Sequence, residues 1–123
     1  MNYQSDWLMR QIEMFIQAIA RLLFNRNAYE YDVRGEGNLT DADILHRKLS
    51  ELIGKGEICA AEDLLFESID PSERGYLEVA VDFYQELNGL TDDELKEARF
   101  SREEIETGLS DVLQKFGIDI PMI

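Results

Sequence analysis

Leu90-Thr91-Asp92-Asp93-Glu94-Leu95-Lys96-Glu97-Ala98-Arg99-Phe100-Ser101-Arg102-Glu103-Glu104-Ile105 contains the same helix-opening device twice. In each copy a hydroxyl residue, Thr91 or Ser101, stands three positions before a glutamate and inside an apolar pair, Leu90 with Leu95 and Phe100 with Ile105. The hydroxyl accepts from the backbone N–H three residues on, the carboxylate reaches back to the cap's own N–H, and the apolar pair pins the entering chain. Two such starts predict a short fifth helix and a longer sixth one. The sixth buries Ile105, Leu109, Val112 and Phe116, stops at Gly117, and leaves an apolar tail from Ile118 to Ile123 that is expected to dock rather than fray.

The same pattern extends towards the N-terminus. Thr40 with Asp43, and Leu39 with Ile44, open a second helix whose stripe is Leu45, Leu49 and Leu52 and whose end is marked by Gly54 and Gly56. A third helix follows from about Glu57 to Ile69, with Ile58, Ala61, Leu65 and Ile69 on one side. The minimal connection makes the two an antiparallel hairpin. Asp70-Pro71-Ser72-Glu73 predicts the start of a fourth helix, with Asp70 as N-cap and Pro71 in the first helical position. Its stripe is Leu77, Ala80, Val81, Tyr84 and Leu87, and Asn88-Gly89 closes it. The segment Asn25–Asn38 has no helical period. Tyr29–Val33 is its one strand-like tract, and it reads as a loop crossing the end of the bundle. The expected fold is therefore all-α: one domain over residues 1–123, five to six helices in an antiparallel bundle, helix four on the hairpin and helix one crossing the assembly.

Helix one, from about Asp6 to Phe24, is the unusual element. Thirteen of its 19 residues are apolar. At about 100° per residue, Asp6, Arg10, Glu13, Gln17 and Arg21 share one narrow polar side, whereas the apolar arc covers about two thirds of the circumference. One packing surface needs little more than about 100°. The excess predicts that the chain forms a homodimer through this helix, with Leu8, Ile12, Phe15, Ile19 and Leu22 facing the home core and Met9, Ile16 and Leu23 facing the second copy.

Charge restricts the partners further. The 123 residues carry 12 basic and 26 acidic side chains, a net charge of -14. Residues 1–56 hold 7 basic against 8 acidic groups, and residues 57–123 hold 5 against 18. Nucleic-acid binding rests on lysine and arginine displacing counterions from phosphates, so nucleic acid is an unsuitable partner, as is an anionic membrane. A protein partner would be neutral or basic. The single cysteine, Cys59, has no internal disulfide partner, and the first residues carry neither a basic leader nor an uninterrupted apolar span, which together point to the cytoplasm.

Few residues offer chemistry. Asp43-x-x-His46 places a carboxylate and the only histidine on one helix face, but di-iron bundles need two such pairs and further glutamates. Glu78, Asp82 and Glu86 recur every four residues, as an exposed face also does. Cys59 with His46 lacks a third, orienting group and reads as a small core residue. Arg34-Gly35-Glu36-Gly37 lacks the spacing, lysine and hydroxyl of a phosphate loop. No catalytic, metal-ligating or cofactor-binding residue is expected.

Gly56, Ile58, Ala61, Leu65 and Pro71 resemble the middle of one tetratricopeptide repeat over roughly residues 42–71. The resemblance departs from that pattern at Leu49, where the repeat has a small glycine, and at Pro71, which comes early, and no second copy is clear at a period of about 34 residues. At whole-chain scale, Asp6-Trp7-Leu8-Met9-Arg10-Gln11-Ile12-Glu13, Ala61-Glu62-Asp63-Leu64-Leu65-Phe66-Glu67 and Phe100–Ile105 resemble an uncharacterised family of small acidic helical proteins from Firmicutes bacteria. That resemblance implies a bacterial, cytoplasmic, all-helical protein and supplies no catalytic residues. The expected function is a non-enzymatic protein–protein interaction or scaffold role. The rival readings are a purely homo-oligomeric structural protein and a metal-dependent enzyme using helix carboxylates.

Overall fold

The computed structural model describes residues 3–24 and 40–119. It contains α1 (Tyr3–Leu23), α2 (Asp41–Gly54), α3 (Ile58–Ser68), α4 (Arg74–Asn88), α5 (Asp92–Glu97) and α6 (Arg102–Lys115), and no strand occurs among the described residues. The fold is all-α. The loop read over Asn25–Asn38, Leu39 of the expected apolar pair, and the tail from Ile120 to Ile123 lie outside the described residues.

All three hydroxyl starts form complete reciprocal caps. The Thr40, Thr91 and Ser101 hydroxyls accept from the N–H groups of Asp43, Glu94 and Glu104 at 3.1, 3.1 and 3.2 Å. The three carboxylates accept in return from the cap N–H groups at 3.0, 3.0 and 2.7 Å. Helix ends follow a second local rule: a residue in the left-handed region lets the next N–H reach a carbonyl five residues back. Gly56 (φ +77°) and Gly117 (φ +70°) do this for α2 and α6, with Glu57 N–H donating to Leu52 and Ile118 N–H to Leu113 at 2.9 Å each. Arg99 (φ +58°) does it for α5, at about 1 kcal/mol more than a glycine would cost.

The start of α4 differs from the expectation. Asp70 is not its N-cap and Pro71 is not its first residue, because the Asp70 carboxylate accepts from the Ser72 hydroxyl and N–H at 2.7 and 3.0 Å. Those bonds also lower the Asp70 pKa. A side chain spent on a local turn cannot cap a helix. Glu73 becomes the N-cap without a side-chain bond, and the helix opens at Arg74. Gly89 likewise stays right-handed (φ -80°), so the end of α4 is not closed by glycine freedom.

The centre of the molecule is α4. Its predicted stripe is fully buried, and Val79 and Phe83, which lie off that stripe, are buried as well. The reason is that α4 packs against α1, α2 and α6 together. The Phe83 and Tyr84 rings pack in a T-shaped contact, with an interplanar angle of 75° and centroids 4.9 Å apart. The connection through Gly56 folds α3 back on α2, and α1 packs against both α4 and α6.

Candidate functional site

Helix α1 uses only part of its apolar arc in the home core. Ile12, Phe15, Ile16, Ile19 and Ala20 are buried, and Leu8 and Leu23 pack half-buried against them. Ile16 is 2% exposed, so it is covered by its own chain, as Leu23 is in part, and Met9 is half-buried. The three residues expected to face a second copy thus do not form an open face. The open one is the opposite flank: Trp7, Met14 and Leu22 are 66%, 67% and 70% exposed, with half-buried Ala18 between them. Leu8, Ile12, Phe15 and Ile19 keep the home core expected of them, and only the flanks exchange, because α4 approaches α1 from the Met9–Leu23 side, where the Asn88 amide donates to the Met9 carbonyl at 3.0 Å and the Arg74 guanidinium to the Leu23 carbonyl at 2.9 Å. Leu22, expected in the core, is excluded with the flank that α4 leaves uncovered.

Beside that flank runs α6. The Gln11 amide donates to Glu106 at 3.2 Å, and Phe15, Ser110, Leu113, Gln114 and Ile118 line a cleft of about 440 Å³ between the helices. Rising numbers on α1 thus pair with rising numbers on α6, so the two run in the same direction.

A polar seam joins α2 to α4. His46 Nε2 lies 2.7 Å from Asp82 Oδ2, and one turn further on the Ser50 hydroxyl donates to Glu86 at 3.3 Å. A cleft of about 400 Å³ opens beside it over Asp43, His46, Arg47, Ser50 and Glu51. Burial, and then the nearby Asp82 carboxylate, raise the Glu86 pKa.

Two further polar groups lie deeper. The Tyr84 hydroxyl, carried into the core by α4, donates to Glu62 of α3 at 2.6 Å. Burial followed by the Glu62 contact pushes the Tyr84 pKa far upward, and burial also raises that of Glu62. Arg102, 6% exposed, donates to the Asn88 carbonyl and side-chain oxygen at 2.9 and 3.0 Å, to the Leu90 carbonyl at 2.7 Å and to Asp92. A guanidinium thus closes α4 where glycine does not, its positive charge lying at the negative end of the helix dipole.

The model of a family of unknown function (DUF6483) matches residues 2–117, nearly the whole chain. The chain belongs to this family. No curated protein sequence and no solved structure matches the DUF6483 chain.

Within the DUF6483 fold the sequence-derived candidates separate. His46 faces Asp82 across the α2–α4 seam, whereas Cys59 is exposed on α3 with its sulfur 4.0 Å from the Ala98 carbonyl, so they meet different neighbours. Cys59 is not a core residue: the α3 stripe of Ile58, Ala61 and Leu65 turns it outward. Among the described residues no three His, Cys, Asp or Glu side chains are grouped to hold a metal ion, and no helix is long and apolar enough to cross a membrane. Sequence reasoning missed Arg102 because its position just inside a helix start is compatible with any polar residue.

The partly buried carboxylates have a testable consequence in pH. Glu62 and Glu86 both have folded pKa values raised above the ordinary 4.5. Between 4.5 and the raised values the folded chain binds protons more tightly than the unfolded one, so their contribution to stability is greatest below 4.5 and is lost as pH rises through the raised values. Thermal midpoints of the natural protein are expected to increase on acidification from pH 7 to about 5, and Glu86→Gln should raise the midpoint at pH 7 and flatten the dependence. A Glu86→Gln protein with a lower midpoint at pH 7 and an unchanged slope would contradict this assignment.

Proposed function

We propose that this chain is a non-enzymatic protein–protein interaction domain that acts as a homodimer, with the exposed flank of α1 as its contact surface. The observation that carries the reading is the row Trp7, Met14 and Leu22, three large apolar side chains each about two thirds exposed on one helix flank. Scattered exposed apolar residues are ordinary, but an aligned set on one helix that includes the only tryptophan is the kind of surface that becomes an interface core. The polar groups support this division of labour, since Arg102, Tyr84 with Glu62, and the three reciprocal caps are spent on holding helices together. Any further macromolecular partner is a neutral or basic protein, given the net charge of -14, and nucleic acid and membranes are not partners. The setting is a bacterial cytoplasm. The tetratricopeptide-like hairpin, α2 with α3, serves as scaffold. The carboxylate-metal reading draws no support from the seam, where Asp82 is engaged by His46 and Glu86 by Ser50.

The test is light scattering coupled to size exclusion at 1–200 μM (order of magnitude set by ordinary homodimer affinities). The natural protein is expected to approach twice the monomer mass, with Trp7 emission shifting to the blue as dimers form. Met14→Lys with Leu22→Lys is expected to remain folded and monomeric, because both positions are exposed. A folded natural protein that stays monomeric throughout would overturn the reading.

A further inference from the structure

We infer that the second copy packs with its α1 parallel to the first, about a two-fold axis running along the helices, so that Arg10 of each copy meets the acidic α6 flank of the other. This rests on the homodimer reading and adds its geometry. Over its first turns the row has the spacing of a coiled-coil seam, since exposed Trp7 and Met14 alternate with half-buried Gln11 and Ala18 at separations of four, three and four residues, and exposed Leu22 follows four further on. Its two borders differ in charge. On one side lie the exposed Arg10 and Arg21 with Gln17, at about 60–100° from the middle of the row; Asp6 and Glu13 are further round. On the other side lies α6, which presents half-buried Glu106 beside Gln11 and exposed Glu103 three residues before it, a helical turn away on the same face.

Symmetry turns this asymmetry into a choice. A two-fold axis along the helices exchanges left and right borders, so the arginine border of each copy faces the α6 border of the other. Because α6 runs parallel to α1 with Glu106 level with Gln11, Arg10 arrives at the height of Glu106 and Glu103. A two-fold axis across the helices makes them antiparallel and sets like borders together, with Arg10 near the second copy's Arg21. Opposite charges across an interface fix register, and like charges penalise the wrong one. In a chain of net charge -14, joining two copies needs basic groups where the surfaces meet, and α1 places Arg10 and Arg21 at that border.

Oxidative cross-linking in a Cys59→Ser background distinguishes the arrangements. Trp7→Cys is expected to give a disulfide-linked dimer with itself, whereas a mixture of Trp7→Cys and Leu22→Cys proteins should not cross-link 7 to 22. Arg10→Glu should weaken the dimer of the otherwise natural protein about tenfold, and adding Glu103→Arg should recover most of that loss. A 7-to-22 cross-link, or an Arg10→Glu dimer as tight as the natural one, overturns the parallel arrangement while leaving the homodimer standing. A natural protein that is monomeric at every concentration removes both.

Discussion

Arg102→Ala is expected to lower the unfolding free energy by about 3 kcal/mol, the scale for breaking a buried, hydrogen-bonded charge cluster. The substitution leaves the Asn88 carbonyl and side-chain oxygen and the Leu90 carbonyl without the donor that reaches each of them within 3.0 Å. Asn88 is itself 2% exposed, so water does not readily replace the guanidinium. It is also the residue whose amide holds the Met9 carbonyl, which extends the damage from the α4–α6 junction to α1. Lysine in the same place keeps a charge but not a planar fork, and should recover less than half of the loss. Because small domains are stable by only about 5–15 kcal/mol, the shift would be plain in urea titrations. The exposed α3 substitution Glu67→Ala is the control and should change stability by less than about 0.5 kcal/mol. Equal stability of the Arg102→Ala and natural proteins would show that the cluster is dispensable.

Gly108→Ala should be comparably damaging, at about 2–3 kcal/mol, for a different reason. Gly108 is buried in α6, and a methyl group there would overlap the hydroxyl and ring of Tyr84. The ring has no room to retreat, being fully buried and hydrogen-bonded at its far end to Glu62. Elsewhere in a helix, glycine to alanine stabilises by about 1 kcal/mol, so the expected sign is reversed here. A double-mutant cycle with Tyr84→Leu identifies the cause. Shortening the side chain should make Gly108→Ala much less costly, giving a coupling of more than about 1 kcal/mol. Additive effects would mean that the obstacle is not Tyr84.

Both predictions concern residues on which local sequence rules were silent or pointed elsewhere. Arg102 lies in the first turn of a well-signalled helix, and Gly108 reads as an ordinary helix-weakening glycine. Their roles come from residues 14 and 24 positions away, Asn88 and Tyr84, and only packing brings those together. The reciprocal caps at Thr40, Thr91 and Ser101, by contrast, were legible because every atom involved lies within four residues of the others. The Asp70 cap was misread within the same short range, since two local hydrogen-bond patterns competed for one carboxylate and the Ser72 hydroxyl settled the competition.

The sequence by itself determined that the chain is all-helical, where most of its helices begin and end, and that α1 has more apolar surface than one core face needs. These follow from hydrogen bonds and periodicities internal to single segments. Tertiary structure decided that α4 is central, that Ile16 is buried, and that Trp7, Met14 and Leu22 are open. An apolar arc read from periodicity specifies how much surface wants covering but not from which direction the cover comes. That direction was set by Asn88 and Arg74, which tie α4 to the backbone of α1 on one side only.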